Sequence, residues 1–170
     1  MESKKEFEVS GDLLASSGQR FINYIIDLIV VYITIFSISF VVAIVALLLG
    51  ANTIVEKLQS ITTLESYLIF FSIFIPYYSV LENKTSRTIG KYITKTMVVM
   101  EDGSKPDFGT TLRRTLCRII PFEAFSFIGS YSRGWHDSIP DTYVVRKDSF
   151  EKAFEAHNSL DEIGKPQEEQ

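Results

Sequence analysis

Apolar residues along this chain are gathered into two long runs, with nearly all charged residues outside them. From Leu28 to Leu49 there is no charged side chain in 22 residues, and sixteen of them are Leu, Ile, Val or Phe. At about 1.5 Å per helical residue the run reaches across a hydrocarbon layer of roughly 30 Å. At about −0.3 to −0.6 kcal/mol each, those sixteen side chains favour insertion by on the order of 5–10 kcal/mol, against about +3 for one charge near a helix centre. The second run, Leu64 to Leu81, is shorter and contains Pro76, with Tyr67, Tyr77 and Tyr78 near its ends, where an aromatic belt lies. The competing reading is a pair of buried helices in a soluble protein. It is disfavoured because a helix with no solvated face is hard to cover on all sides in a chain of 170 residues.

The remaining segments predict smaller elements. Tyr92 to Met100 reads as a strand, Glu101-Asp102-Gly103-Ser104 as a turn, and Thr142 to Val145 as a strand able to pair with the first. Asp107 is placed to cap a helix through Leu112, Leu116 and Ile119, on which Arg114 and Arg118 share a face. The apolar stretch Ile119 to Tyr131, broken by Pro121 and Glu123, is short for a crossing and reads as interfacial or re-entrant. From Ser149 a short helix is expected, and beyond Gly164 an acidic, disordered tail. The fold class is therefore an all-α membrane protein: a two-span helical hairpin, an amphipathic or re-entrant helix near 112–131, and a small cytoplasmic β-hairpin-like element. We divide it into an N-terminal arm (1–15), a membrane domain (16–147, spans about 21–49 and 64–81) and a C-terminal helix with its tail (148–170).

Charge sets the orientation. Between the runs only Lys57 is basic, whereas Lys84, Arg87, Lys91, Lys95, Lys105, Arg113, Arg114 and Arg118 follow the second run and Lys4, Lys5 and Arg20 precede the first. Basic loops stay in the cytoplasm, so both termini are expected inside, in a multi-pass protein of the cell (inner) membrane. The first twenty residues lack the layout of a cleavable leader. A net charge of −4 and the lack of an aromatic-basic RNA motif argue against a nucleic-acid partner. With one cysteine and two histidines there is no intrachain disulfide and no typical zinc set, and neither metal nor cofactor is expected.

Candidate chemistry lies at the cytoplasmic end of the first run. Arg20, Asn23, Asp27 and Thr34 form one helical stripe. Asp27 would lie about 10 Å deep if the apolar region starts near Phe21. A carboxylate there must be paired, hydrated or protonated. Arg20 lies about 10.5 Å from it along the helix axis, so its side chain is expected to reach for the headgroups, and the candidate partners of Asp27 are Lys91, Arg114, Arg118 and Arg133. Asp27 then either binds a cation or relays a proton, or it fixes packing with a basic partner and carries nothing. Thr88-Ile89-Gly90-Lys91 lacks the upstream glycine and the strand of a phosphate loop. His136-Asp137 has no second ligand cluster and reads as a hydrogen-bonded turn; no nucleophile–base pair favours an enzyme.

In order, Gly18-Gln19-Arg20-Phe21, Asp27, Glu82, Thr88-Ile89-Gly90-Lys91, Val98-Val99, Asp102-Gly103, Leu112-Arg113-Arg114, Arg133-Gly134-Trp135-His136-Asp137 and Thr142-Tyr143-Val144-Val145 resemble the RDD family of small membrane proteins, over about Ser16 to Arg146. The resemblance implies that Arg20, Asp27 and Asp137 are the Arg and two Asp of the family name, that Gly90 is a motif glycine, and that the protein resides in a membrane with a role in small-cation or proton transport. The chain departs from the pattern in placing Asp27 near the cytoplasmic end of the span, which weakens the case for an ion path through one protomer. Two spans enclose no pathway alone, so transport would require a homo-oligomer with Asp27 as the titrating group. The alternative is a non-transporting module that anchors or assembles other membrane proteins, its buried charges structural.

Overall fold

A computed structural model describes residues 7–120, 126 and 133–163, without the side chains of 160–163. Two long helices dominate it. Helix α1, Ser17–Leu48, opens with a capping box in which the Ser16 hydroxyl accepts from the Gln19 amide and the Gln19 side chain accepts from the Ser16 amide. A short helix α2, Asn52–Gln59, occupies the connection between the two long helices. Helix α3, Thr63–Thr85, opens with a second capping box, Thr62 and Glu65, carries Pro76 inside it, and stops at Ser86, whose φ of +57° turns the chain away. These are two helices long and apolar enough to span a membrane.

Their surface shows what surrounds them. Only 6% of the most apolar window of α1 and 17% of that of α3 is buried within the chain. Phe36, Phe40, Leu47, Leu64 and Leu68 stand more than half exposed. A soluble protein does not leave so much contiguous apolar surface to water. The two helices meet near their middles through Val31, Phe74 and Tyr78, and both reach one common end, the start of α1 and the close of α3.

At that end sits a compact cap. Helix α4, Ile89–Ile93, leads to strand β1, Thr96–Met100; then follow α5, Phe108–Cys117, a short α6, Trp135–Ser138, strand β2, Thr142–Arg146, and α7, Lys147–Ile163. The strands pair antiparallel with Val98 opposite Val144 and Met100 opposite Thr142. The expected pair therefore forms, although its connection runs through α5 and α6 instead of a tight turn. The strand starts at Thr96 and not at Tyr92, because residues 89–93 form a helical turn capped by the Thr88 hydroxyl and Lys95, at φ +55°, breaks the chain direction. Likewise α7 starts at Lys147, directly off β2, two residues before the anticipated cap. Asp107 caps α5 as its position predicts, accepting from the Thr110 amide. Residues 1–6, 121–125, 127–132 and 164–170 lie outside the described residues, and with them most of the stretch expected to be interfacial or re-entrant and the tail expected to be disordered.

Strand alternation gives the cap two faces. Val99 and Val145 pack with Leu13 and Phe150 against Phe7 and Phe154. Val98 and Val144 pack with Ala15 on the other face. Residues 7–15 run beside the sheet, the Ala15 amide donating to the Val144 carbonyl (2.9 Å) and the Val9 amide to Glu101 (3.1 Å).

Candidate functional site

Where α1, α3, α4, α5 and α6 converge, the interior is charged. Glu82, in the last turns of α3, is fully buried, and three cations converge on it: Lys91 Nζ (2.9 Å), Arg118 Nη2 (2.9 Å) and Arg114 Nε (3.0 Å). Arg114, equally buried, spans from Glu82 to Asp137, and the other Asp137 oxygen receives Arg20. Charges thus alternate from α1 through α6 and α5 to α3 and α4. Arg114 and Arg118 share one face of the α5 turn, as their spacing predicts, and that face is directed at Glu82. Small polar residues let the helices approach: the Ser79 hydroxyl donates to Thr115 (3.2 Å), and Thr111 donates to the Ser79 carbonyl (3.3 Å).

Asp27 lies beside this chain of charges and is only 1% exposed. Its carboxylate accepts from the Thr88 hydroxyl (2.6 Å), the Tyr77 hydroxyl (2.7 Å) and the Gly90 amide (2.8 Å). The expectation of a basic partner is corrected here. Lys91, Arg114 and Arg118 serve Glu82, while Arg133 bonds Asp141 (3.4 Å), stacks on Tyr143 and donates to the Thr142 carbonyl. Asp27 instead receives neutral donors, because Thr88 and Gly90 bring the first turn of α4 against it and a carboxylate suits the free amides of that turn.

Gly90 makes this approach possible. A Cβ there would lie 2.5 Å from the Asn23 carbonyl oxygen, so only glycine lets α4 rest on α1. The Asn23 amide is the next tie. In the orientation that satisfies both its ends, its nitrogen donates to the Gly90 carbonyl (3.0 Å) and its oxygen accepts from Thr96 (3.0 Å).

Arg20 is also corrected: it is 5% exposed and turned into the cap, not toward headgroups. Besides Asp137 it donates to the Ala15 and Val144 carbonyls (3.3 Å each). Its partner lies far along the chain, beyond what helical spacing reveals. Thr34, the outermost member of the stripe, donates back to the Val30 carbonyl (2.8 Å) and stands apart from the network. His136 Nε2 lies 3.6 Å from Asp137 in the short α6, so the pair belongs to the charged interior. Although burial opposes its charge, Asp137 is held well below the usual carboxylate range, by Arg114 foremost, then His136, Arg20 and Arg118. Burial pushes Lys91 below the ordinary lysine value, and Glu82 only partly offsets this. A cavity of about 30 Å³, with room for water, is bounded by Asp27, Asn23, Lys91, Arg118 and His136.

The sequence reading missed Glu82 as a site residue, along with Thr88 and Tyr77. Glu82 was detectable: it is the only acid between Glu65 and Glu101, with Lys84, Arg87, Lys91 and Lys95 following it. A sequence model of the RDD family matches residues 14–138, well over half of the chain. The chain belongs to the RDD family. In this RDD protein Arg20, Asp27 and Asp137, the residues that the resemblance implies for the family name, sit in one polar interior, Arg20 bound to Asp137 and Asp27 on the same cavity as Arg20. The family's match stops before β2, yet β2 supplies the Val144 carbonyl to Arg20 and the Thr142 hydroxyl to Arg114. No curated protein and no solved structure matches the chain.

Proposed function

We propose that this RDD protein is a non-transporting membrane module, which crosses the cell membrane twice with both termini in the cytoplasm and holds a rigid cap against the membrane to assemble other membrane proteins. The observation that carries this reading is the occupancy of the carboxylates. Asp27 takes three neutral donors, Glu82 three cations and Asp137 two arginines. A cation arriving there would have to displace donors already in place, at the cost of leaving buried charges unpaired. Past Asp27, the contact between α1 and α3 is apolar, through Val31 and Phe74. The apolar surface left on both helices suits further helices in the plane of the membrane as well as lipid.

Two observations favour the transport reading. The cavity beside Asp27 has room for water, and Lys91 on its wall is poised to lose its proton more readily than an ordinary lysine. Flux separates the two readings. Purified protein in proteoliposomes is expected to show no pH-gradient-driven sodium or potassium movement beyond protein-free vesicles. Flux present in wild type and lost in Asp27→Asn would overturn the proposal.

A further inference from the structure

Helix α4 carries a surface that the buried network does not use. Its inner side is committed: Gly90 rests on Asn23, and Lys91 reaches Glu82. Its outer side presents Ile89, Tyr92 and Ile93, which are 41%, 51% and 64% exposed. Three large apolar side chains in five residues would be an odd choice for a helical turn facing water. Their height along α1 is fixed by the contacts of Gly90 with Asn23 and with Asp27. Those residues lie five positions and one position before Leu28, where the uncharged stretch begins, so α4 sits about 2–8 Å beyond the end of the stretch. A headgroup layer occupies about that depth, given roughly 30 Å of hydrocarbon in a bilayer of about 40–45 Å. At the same height on α1, Phe21, Ile22 and Ile25 are also exposed and continue the apolar surface of the span.

The charges nearby match anionic lipid. From residue 83 to residue 100 the chain holds Lys84, Arg87, Lys91 and Lys95 and no acid, in a protein whose net charge is −4. Lys84 and Lys95 are exposed, and the Arg87 guanidinium lies 4.4 Å from the centre of the Tyr92 ring, joining the cation to the apolar stripe. We propose that α4 is an interfacial element whose stripe enters the headgroup layer on the cap side while Lys84 and Lys95 bind the phosphates of anionic phospholipids. This rests on the two helices spanning the membrane.

Nitroxide labels on full-length protein test it, in a Cys117→Ala background and in vesicles of phosphatidylcholine with or without phosphatidylglycerol. A label at Ile93→Cys should collide with oxygen more than with a water-soluble nickel chelate, at a depth shallower than a label at Ile38→Cys, while Ser104→Cys favours nickel. Phosphatidylglycerol should reduce the mobility of the Ile93 label, and this change should be lost in Lys84→Gln/Lys95→Gln. Free inorganic phosphate should not reproduce it. A nickel preference at Ile93 like that at Ser104 overturns the interfacial placement, and an unchanged mobility with phosphatidylglycerol overturns the anionic-lipid part. Nickel preference at Ile38 would instead overturn the spanning reading beneath both.

Discussion

Replacing Glu82 with glutamine removes the one anion shared by three buried cations. The carboxylate meets Lys91, Arg114 and Arg118 at 2.9–3.0 Å with no exposure to solvent. Breaking a buried pair by removing one partner costs about 3–5 kcal/mol, because the other charge stays behind unpaired. Glutamine retains one acceptor and directs an NH2 group at cations, so the expected loss is in the upper half of that range. Lys91→Met leaves Glu82 two arginines and removes the cation that burial already opposes, so its cost should be nearer the 1.5–3 kcal/mol of a charged hydrogen bond. Because the two residues share one contact, the double variant should be less destabilised than the sum by about 1–3 kcal/mol. Unfolding in mixed micelles of rising SDS fraction, followed by Trp135, the chain's single tryptophan in α6, measures all three. A Glu82→Gln variant within about 1 kcal/mol of wild type, or costs that simply add, would refute the reasoning.

Three further outcomes follow from the same geometry. Gly90→Ala should destabilise by about 2 kcal/mol or more in that assay, since the new methyl would meet the Asn23 backbone and not a movable side chain; a neutral result would mean α4 does not rest on α1. Asp137 titrates below its unfolded value of about 3.9, so the unfolded chain binds more protons in that window and stability should fall as pH drops from about 5 toward 3. That extra acid sensitivity should be weaker in Asp137→Asn, which is less stable at neutral pH, and an equal slope in both would place it elsewhere. Cysteines at Thr53, Ser104 and Ser159 in a Cys117→Ala background should react with an impermeant reagent from outside only at Thr53; labelling of Ser104 in sealed cells would reverse the orientation.

The architecture was legible where a one-dimensional pattern suffices. An uncharged run of 22 residues marks α1, and short β-branched runs around Val98-Val99 and Val144-Val145 mark β1 and β2, because lipid depth and strand propensity both act locally. Capping boxes at Ser16–Gln19 and Thr62–Glu65 carried a readable signal for where α1 and α3 begin. The stripe of Arg20, Asn23 and Asp27 was legible by helical spacing, and all three are buried on the cap side. Its partners were not. Arg20 meets Asp137 across 117 positions, and Asp27 meets Tyr77, Thr88 and Gly90 across 50 or more, contacts created by how the helices pack. Expecting a cation beside Asp27 was sound electrostatics applied to one residue; in the assembled interior Glu82 takes the cations, and the amide of an α4 turn serves Asp27. The break at Lys95 was hidden because a left-handed lysine has no sequence signature, unlike glycine.

The account holds that the buried charges fasten the cap to the two long helices as one unit. Hydrogen exchange of Glu82→Gln against wild type, in the same vesicles, tests this most directly. Amides of α4, β1, α5, α6 and β2 should lose protection together and by a similar factor, while those of α1 beyond Leu28 stay protected. Loss confined to the contact of α3 with α5, leaving α6 and β2 as protected as in wild type, would contradict it.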